Sequence, residues 1–147
     1  MAFEFRKCLG GGTVETYDDI LVSNVAITKG QLLYNNVGYL TNATAATCTT
    51  QTVVGVAGET VDNSGGSAGD KDCAVIVNLD AIFEVGTGDT MLAAYVWFNV
   101  AVATGMVTVT SATDKTADNS IGGPCQIRKL ISASKVLVRI NHFSTGE

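Results

Sequence analysis

From Cys73 to Val85, apolar side chains return at every second position. Val75, Val77, Leu79, Ala81, Phe83 and Val85 share one side of the alternation, and Asn78, Asp80 and Glu84 share the other. That is the period of a pleated strand with one dry face and one wet face. Its β-branched and aromatic content agrees. The pattern predicts one strand across the whole stretch. A weaker copy lies near the C-terminus, where Val136-Leu137-Val138-Arg139-Ile140-Asn141 lies over Val75-Ile76-Val77-Asn78-Leu79-Asp80.

The rest of the chain reads as short strands parted by turns. Asp18–Val22, Val25–Ile27, Gln31–Tyr34, Tyr39–Thr41 and Val53–Ala57 are candidate strands. Gly55 within the last of these signals a bulge or a close backbone approach. Asn35–Gly38 reads as a turn, and Asp62–Asp72, DNSGGSAGDKD, as a long exposed one. The second half keeps the order of the first. Tyr95–Asn99 stands where Leu32–Asn35 stood, and Thr104–Thr108 matches Val37–Thr41. Ser111–Asn119 matches the loop Asn42–Gln51, and Ile121-Gly122-Gly123 matches Val54-Gly55-Val56. An internal β duplication, over about 25–85 and 91–143, is the preferred account. Helix is expected only as a short turn within Thr87–Ala94.

Composition agrees with an all-β chain. One domain is the prior for 147 residues, which bury roughly 70 % of their unfolded surface. The domain is expected over 17–147, preceded by an extended N-terminal arm over 1–16. Phe3, Phe5, Arg6 and Lys7 precede Gly10-Gly11-Gly12, which is too flexible to hold a strand. Two readings stand for the arm, a disordered terminus or a segment that orders on a neighbouring subunit with Phe3 and Phe5 as anchors; its removal is expected to spare the fold and weaken assembly. The apolar fraction is 46 % and only 16 % of residues are charged. So few charges imply little solvent-facing surface or a surface covered by partners.

The net charge of −5 argues against nucleic acid as the main partner, because duplex binding rests on neutralising phosphates. The charge is also uneven. Nine acids against Lys71 and Lys115 fall in Ala57–Asp118, whereas Asn119–Gly146 has Arg128, Lys129, Lys135 and Arg139 and no acid. One copy's basic edge could thus meet a neighbour's acidic edge; ordinary solvated faces explain the asymmetry equally well. The longest apolar run falls short of the ~18–20 residues of a bilayer span, so no membrane role is expected. No export signal is evident, and folding in a reducing cytoplasm is the expectation.

Reactive chemistry finds few residues. Any nucleophilic triad would have to use His142, the single histidine, and no Gly-x-Ser-x-Gly elbow accompanies it. Cys8, Cys48, Cys73 and Cys125 are widely spaced, with no Cys-x-x-Cys pair, so zinc is not expected. Cys73 and Cys125 read as small buried hydrophobes. Asp18-Asp19, Asp70-x-Asp72 and Asp89 are carboxylates in turn-like settings without the spacing of a calcium loop. No catalytic residue, cofactor or metal is therefore expected. Tyr95, Trp97 and Phe98 fall beside Met91 and Leu92, and a strand apolar on both faces would be buried inside the fold or at a subunit contact.

The ordered features Lys29-Gly30-Gln31-Leu32-Leu33-Tyr34, Gly38-Tyr39-Leu40-Thr41, Val54-Gly55-Val56-Ala57 and Val75-x-Val77-x-Leu79-x-Ala81-Ile82-Phe83 carry a resemblance. So does the echo from Val96 to Asn141. The chain resembles the head decoration, or capsid cement, proteins of tailed bacteriophages over Val25–Asn141. It departs from the pattern at Ala81, where glycine is expected, and at Gln31, where an acid is more usual. The resemblance implies a compact, tulip-like β-barrel or sandwich, assembled as a homotrimer. It implies a place on the outside of the virion capsid, reached by assembly in the host cytoplasm, with the major capsid protein as partner.

Candidate capsid or subunit contacts are Phe3, Phe5, Arg6, Lys7, Met91, Leu92, Tyr95, Trp97, Arg128 and Lys129. Two alternatives stay open. One is another phage structural part, such as a tail tube or fibre-base subunit. The other is an enzyme or ligand-binding β-barrel that would draw on Asp18, Asp19, Asp89 and His142.

Overall fold

In a computed structural model of the chain, the described residues are 3–9, 11–12, 15, 17–42, 53–78, 80–87, 90–97, 99–102, 108–110 and 125–140. Leu79, Asp89, Phe98, Cys48 and His142 lie outside them, as do the matched segments 104–107, 111–119 and 121–123 and the loop 43–51.

The regular structure among the described residues is nearly all strand. β1 (Glu4–Cys8) precedes β2 (Tyr17–Leu21), the two-residue β3 (Ala26–Ile27), β4 (Leu32–Asn36), β5 (Tyr39–Asn42), β6 (Val53–Ala57), the short β7 (Val61–Asp62) and β8 (Asp72–Ile76). β9 (Ala81–Thr87), one turn of 3-10 helix at Ala93–Tyr95, β10 (Asn99–Val102), β11 (Thr108–Thr110), β12 (Cys125–Ser132) and β13 (Lys135–Ile140) follow.

Two sheets carry the fold. One runs β2-β8-β6-β4-β5 and the other β1-β9-β11-β10-β12-β13, while β3 and β7 form a small ribbon. In the second sheet β13 also pairs with β9, so the ladder returns to the strand it left. The first sheet has the same connectivity. Taken in chain order, its strands are β2, β4, β5, β6 and β8, against β9, β10, β11, β12 and β13 in the other. In both, the first strand pairs with the fifth, the fifth with the fourth, the fourth with the second and the second with the third, all antiparallel. The third then returns to the first in parallel. In the second sheet that contact is β11–β9; in the first it is the single bridge Val22–Leu40, one residue past β2. The two curled sheets pack as a sandwich, and no single barrel encloses the molecule.

These units begin at Tyr17 and Ala81, earlier than the sequence pattern suggested, because the expected long strand is two strands. Val75 and Ile76 close the first sheet in β8, and Ala81, Phe83 and Val85 open the second in β9. The join holds Asn78 and Asp80, residues that favour turns over ladders. Asn78 donates its amide to Cys8 Sγ at 3.5 Å, and the Asp80 carbonyl accepts from Leu9 N at 2.8 Å. The C-terminal echo does link strands in the same place, since β13 is the counterpart of β8.

Alternation decides the core. Leu32, Val56 and Ile76 are register neighbours on one face of the first sheet. They join Phe83, Val85, Ile127, Val136 and Val138 of the second sheet in one apolar cluster. Leu33, Cys73 and Val75 on the opposite face pack with Val22, Ile27 and Leu40 in another. The first sheet is therefore covered on both faces. Each fully buried Leu, Ile or Phe stabilises the fold by roughly 1.5–3 kcal/mol. Gly55 meets its expected constraint, because a Cβ there would collide with the Ile76 carbonyl. The β4–β6 register shifts beside it, between Leu33 and Tyr34.

The first residues are not a free arm. β1 lies antiparallel on β9, with Glu4 opposite Glu84 and Cys8 opposite Ala81. Phe3 is 4 % exposed, and its amide donates to the Gly30 carbonyl at 3.1 Å. Phe3 and Phe5 both meet Phe83 edge-on, with ring centroids 6.2 and 6.0 Å apart. The chain is thus bound to the core from its third residue onward. The expected strand Tyr95–Asn99 is also corrected. It begins as the 3-10 turn and extends only from Asn99, after a left-handed residue at Trp97.

Candidate interaction surface

The ten residues singled out as contacts separate into three groups. Phe3 and Met91 are core residues, 4 % and 2 % exposed, and neither can reach a partner in this fold. Met91 is fixed further by its amide, which donates to the Ala133 carbonyl at 2.8 Å. Phe5 and Tyr95 are half-buried and pack against the same cluster. An isolated apolar residue in sequence carries no sign of which way it faces, and for these four the fold claims the side chain.

Arg6 belongs to an internal charge network. Its guanidinium donates to Glu84 at 2.6 Å and to Glu4 at 3.2 Å, and Lys135 lies 3.6 Å from Glu84. Glu84 was expected on a wet face, yet it is buried between β1 and β13. The hydrogen bond from Arg6 holds its carboxyl below the usual carboxylate range, against the opposing effect of burial. Arg6 also bridges the like charges of Glu4 and Glu84, which stand directly opposite in the register. Lys7 is exposed next to the bulge in β1.

Leu92, Trp97, Arg128 and Lys129 remain at the surface. Trp97 is 56 % exposed and Leu92 52 %. Trp97 has a φ of 77°, a left-handed conformation that costs a bulky L-residue energy. Two contacts with β12 hold it there. Its amide donates to the Ile127 carbonyl at 2.6 Å, and Gln126 Nε2 donates to its carbonyl at 3.2 Å. The indole is thereby turned outward under Arg128, whose Cζ sits 4.1 Å from the ring centroid. Partial burial and the neighbouring charge of Arg139 make the Arg128 guanidinium less basic than usual. No carboxylate among the described residues is paired with Arg128.

A second exposed apolar residue escaped the sequence reading. Val37 and Gly38 form the two-residue turn between β4 and β5, both with positive φ, 52° and 91°. Such turns favour Asn-Gly, because a β-branched residue resists the left-handed region. Val37 is nonetheless 89 % exposed. Trp97 and Val37 are the non-glycine residues with positive φ among those described, and both are apolar and outward. The motif Val37-Gly38 signalled a turn; only the geometry shows that valine stands where asparagine fits better.

The turn between β7 and β8 is organised rather than loose. Asn63 is buried, and its amide donates to the carbonyls of Val22 at 3.3 Å, Ser23 at 3.0 Å and Ser67 at 2.9 Å. Beside it a shallow cleft opens, with Leu21, Val61, Glu59 and Asp72 in its lining.

Cys8, Cys73 and Cys125 are buried thiols, as expected of the last two. Burial, with Glu59 nearby, pushes Cys73 up to about 11. Among the described residues no group of three His, Cys, Asp or Glu side chains could hold a metal ion. No helix among them is long and apolar enough to cross a membrane. No protein-family model matches the chain, and no curated protein matches it.

Proposed function

We propose that this protein is a structural virion component, a decoration protein that binds the outer surface of a major capsid protein shell, as a homotrimer, and stabilises it. One observation carries the reading most. Among the described residues the left-handed non-glycine ones, Val37 and Trp97, are both apolar and both exposed. Each holds an unfavourable backbone conformation, and the Val37 side chain, 89 % exposed, gains little within the fold in return. Strain of this kind is kept where it serves a contact. Both residues project from a rigid, doubled β block, which suits a protein that works through broad repeated contacts rather than a reactive pocket. Interfaces of about 800 Å² per partner, repeated many times over a shell, give such a protein its hold. The resemblance of its order of turn and strand motifs to capsid cement proteins supports the same reading.

The test is co-sedimentation of the purified protein with expanded, undecorated shells of the cognate capsid protein. Saturable binding, with a higher shell melting temperature, is expected. Absence of both would remove the proposal.

A further inference from the structure

We propose that the Trp97–Arg128 knob of one copy seats in the Leu21–Val61 cleft of a second copy, joining the chains head to tail. This deepens the self-association part of the reading above by naming its interface.

The knob is built to be covered. Two hydrogen bonds from β12 hold the Trp97 backbone in its strained conformation, and the indole is more than half exposed. Arg128 lies across the ring with no carboxylate beside it among the described residues, and Arg139 is close enough to repel it. A stacked aromatic–cation pair of this kind calls for an apolar floor and a carboxylate together.

The cleft supplies both. Leu21 is 48 % exposed, and Val61 lines the same cleft. Glu59 and Asp72 provide negative charge on the same rim. Lys71 also lines the cleft, and its ammonium is engaged by the Asp62 carbonyl at 2.7 Å. Arg128 of the knob and Leu21 of the cleft lie in different sheets, so joining knob and cleft between copies is a heterologous contact. Such a contact closes a ring when its rotation permits, as a trimer requires.

Trp97 is the chain's single tryptophan, so its fluorescence reports this contact alone. Emission and iodide quenching are followed over rising protein concentration at low and high salt, with mass measured by sedimentation. The proposal expects a blue shift and loss of quenching in step with the mass increase, both weakened by salt. Arg128→Glu is expected to weaken association by about tenfold or more. Combining it with Asp72→Arg in one chain is expected to restore association, since every contact around the ring then pairs opposite charges. Unchanged emission while mass rises, or a protein that stays monomeric throughout, overturns the proposal. The wild-type readout needs no variant to fold. It needs no shells either, so shell binding and this contact can fail independently.

Discussion

Arg6 Nη2 lies 2.6 Å from Glu84 Oε2, joining the first strand of the chain to the first strand of the second unit. With Phe3 and Phe5 on Phe83, it makes the N-terminal strand a part of the fold.

Phe3→Ala is therefore expected to destabilise the protein by about 3–5 kcal/mol, as truncating a buried aromatic does. Deleting residues 1–12 should lower the melting temperature as well as assembly, against the expectation for a loose arm. Chemical denaturation measures the first and calorimetry the second. An unchanged midpoint in both would show that β1 adds nothing to the core.

Acid should weaken the same junction. The folded-state pKa of Glu84 lies below its ordinary value of 4.5. Its contribution to stability is thus fully present above pH 4.5 and disappears as pH falls through the lower folded value. Asp62 is shifted the same way by Ser64 and adds to the loss. Glu84→Gln is expected to be less stable than wild type at pH 7, with the gap narrowing below pH 4.5. Denaturation midpoints across pH 2–8 test this, and a gap independent of pH contradicts it.

Val37→Asn should raise stability by about 1 kcal/mol, because asparagine enters the left-handed region more easily than a β-branched residue. Shell binding should fall in the same variant, as an apolar contact is lost. A less stable variant would mean that Val37 packs on its own fold.

Asn63→Ala removes a side chain whose amide serves three backbone carbonyls. A loss of about 1–3 kcal/mol is expected from the hydrogen bonds removed, while each carbonyl keeps a backbone donor, from Gly69, Val25 and Asp70 respectively. Gly66→Ala should act on the same turn, because its Cβ would stand 2.5 Å from Asn63 Oδ1. Urea midpoints decide both, and changes within error would show that the turn is dispensable.

The all-β character was legible because strand alternation is local: Val136, Val138 and Ile140 are buried, as their spacing requires. The boundary between the strands that end at Ile76 and begin at Ala81 was not, because the alternation of Val75, Ala81 and Phe83 stays in phase although they belong to different sheets. β1 was readable in principle. Phe3 and Phe5 alternate with Glu4 and Arg6, but the following glycines drew the segment toward flexibility. Trp97 and Leu92, offered as contacts, are exposed, while Met91, offered with them, is buried. Which neighbour is buried there depends on a 3-10 turn and a positive φ, and neither leaves a periodic trace. The repeat was visible as an order of features, yet its boundaries needed the strand pairings.

Electron cryomicroscopy of expanded, undecorated shells incubated with the protein tests the central claim most directly. The account predicts ordered density on the outer face at regular sites, with the Val37 turn at the shell contact. Shells that stay bare at saturating protein would contradict it.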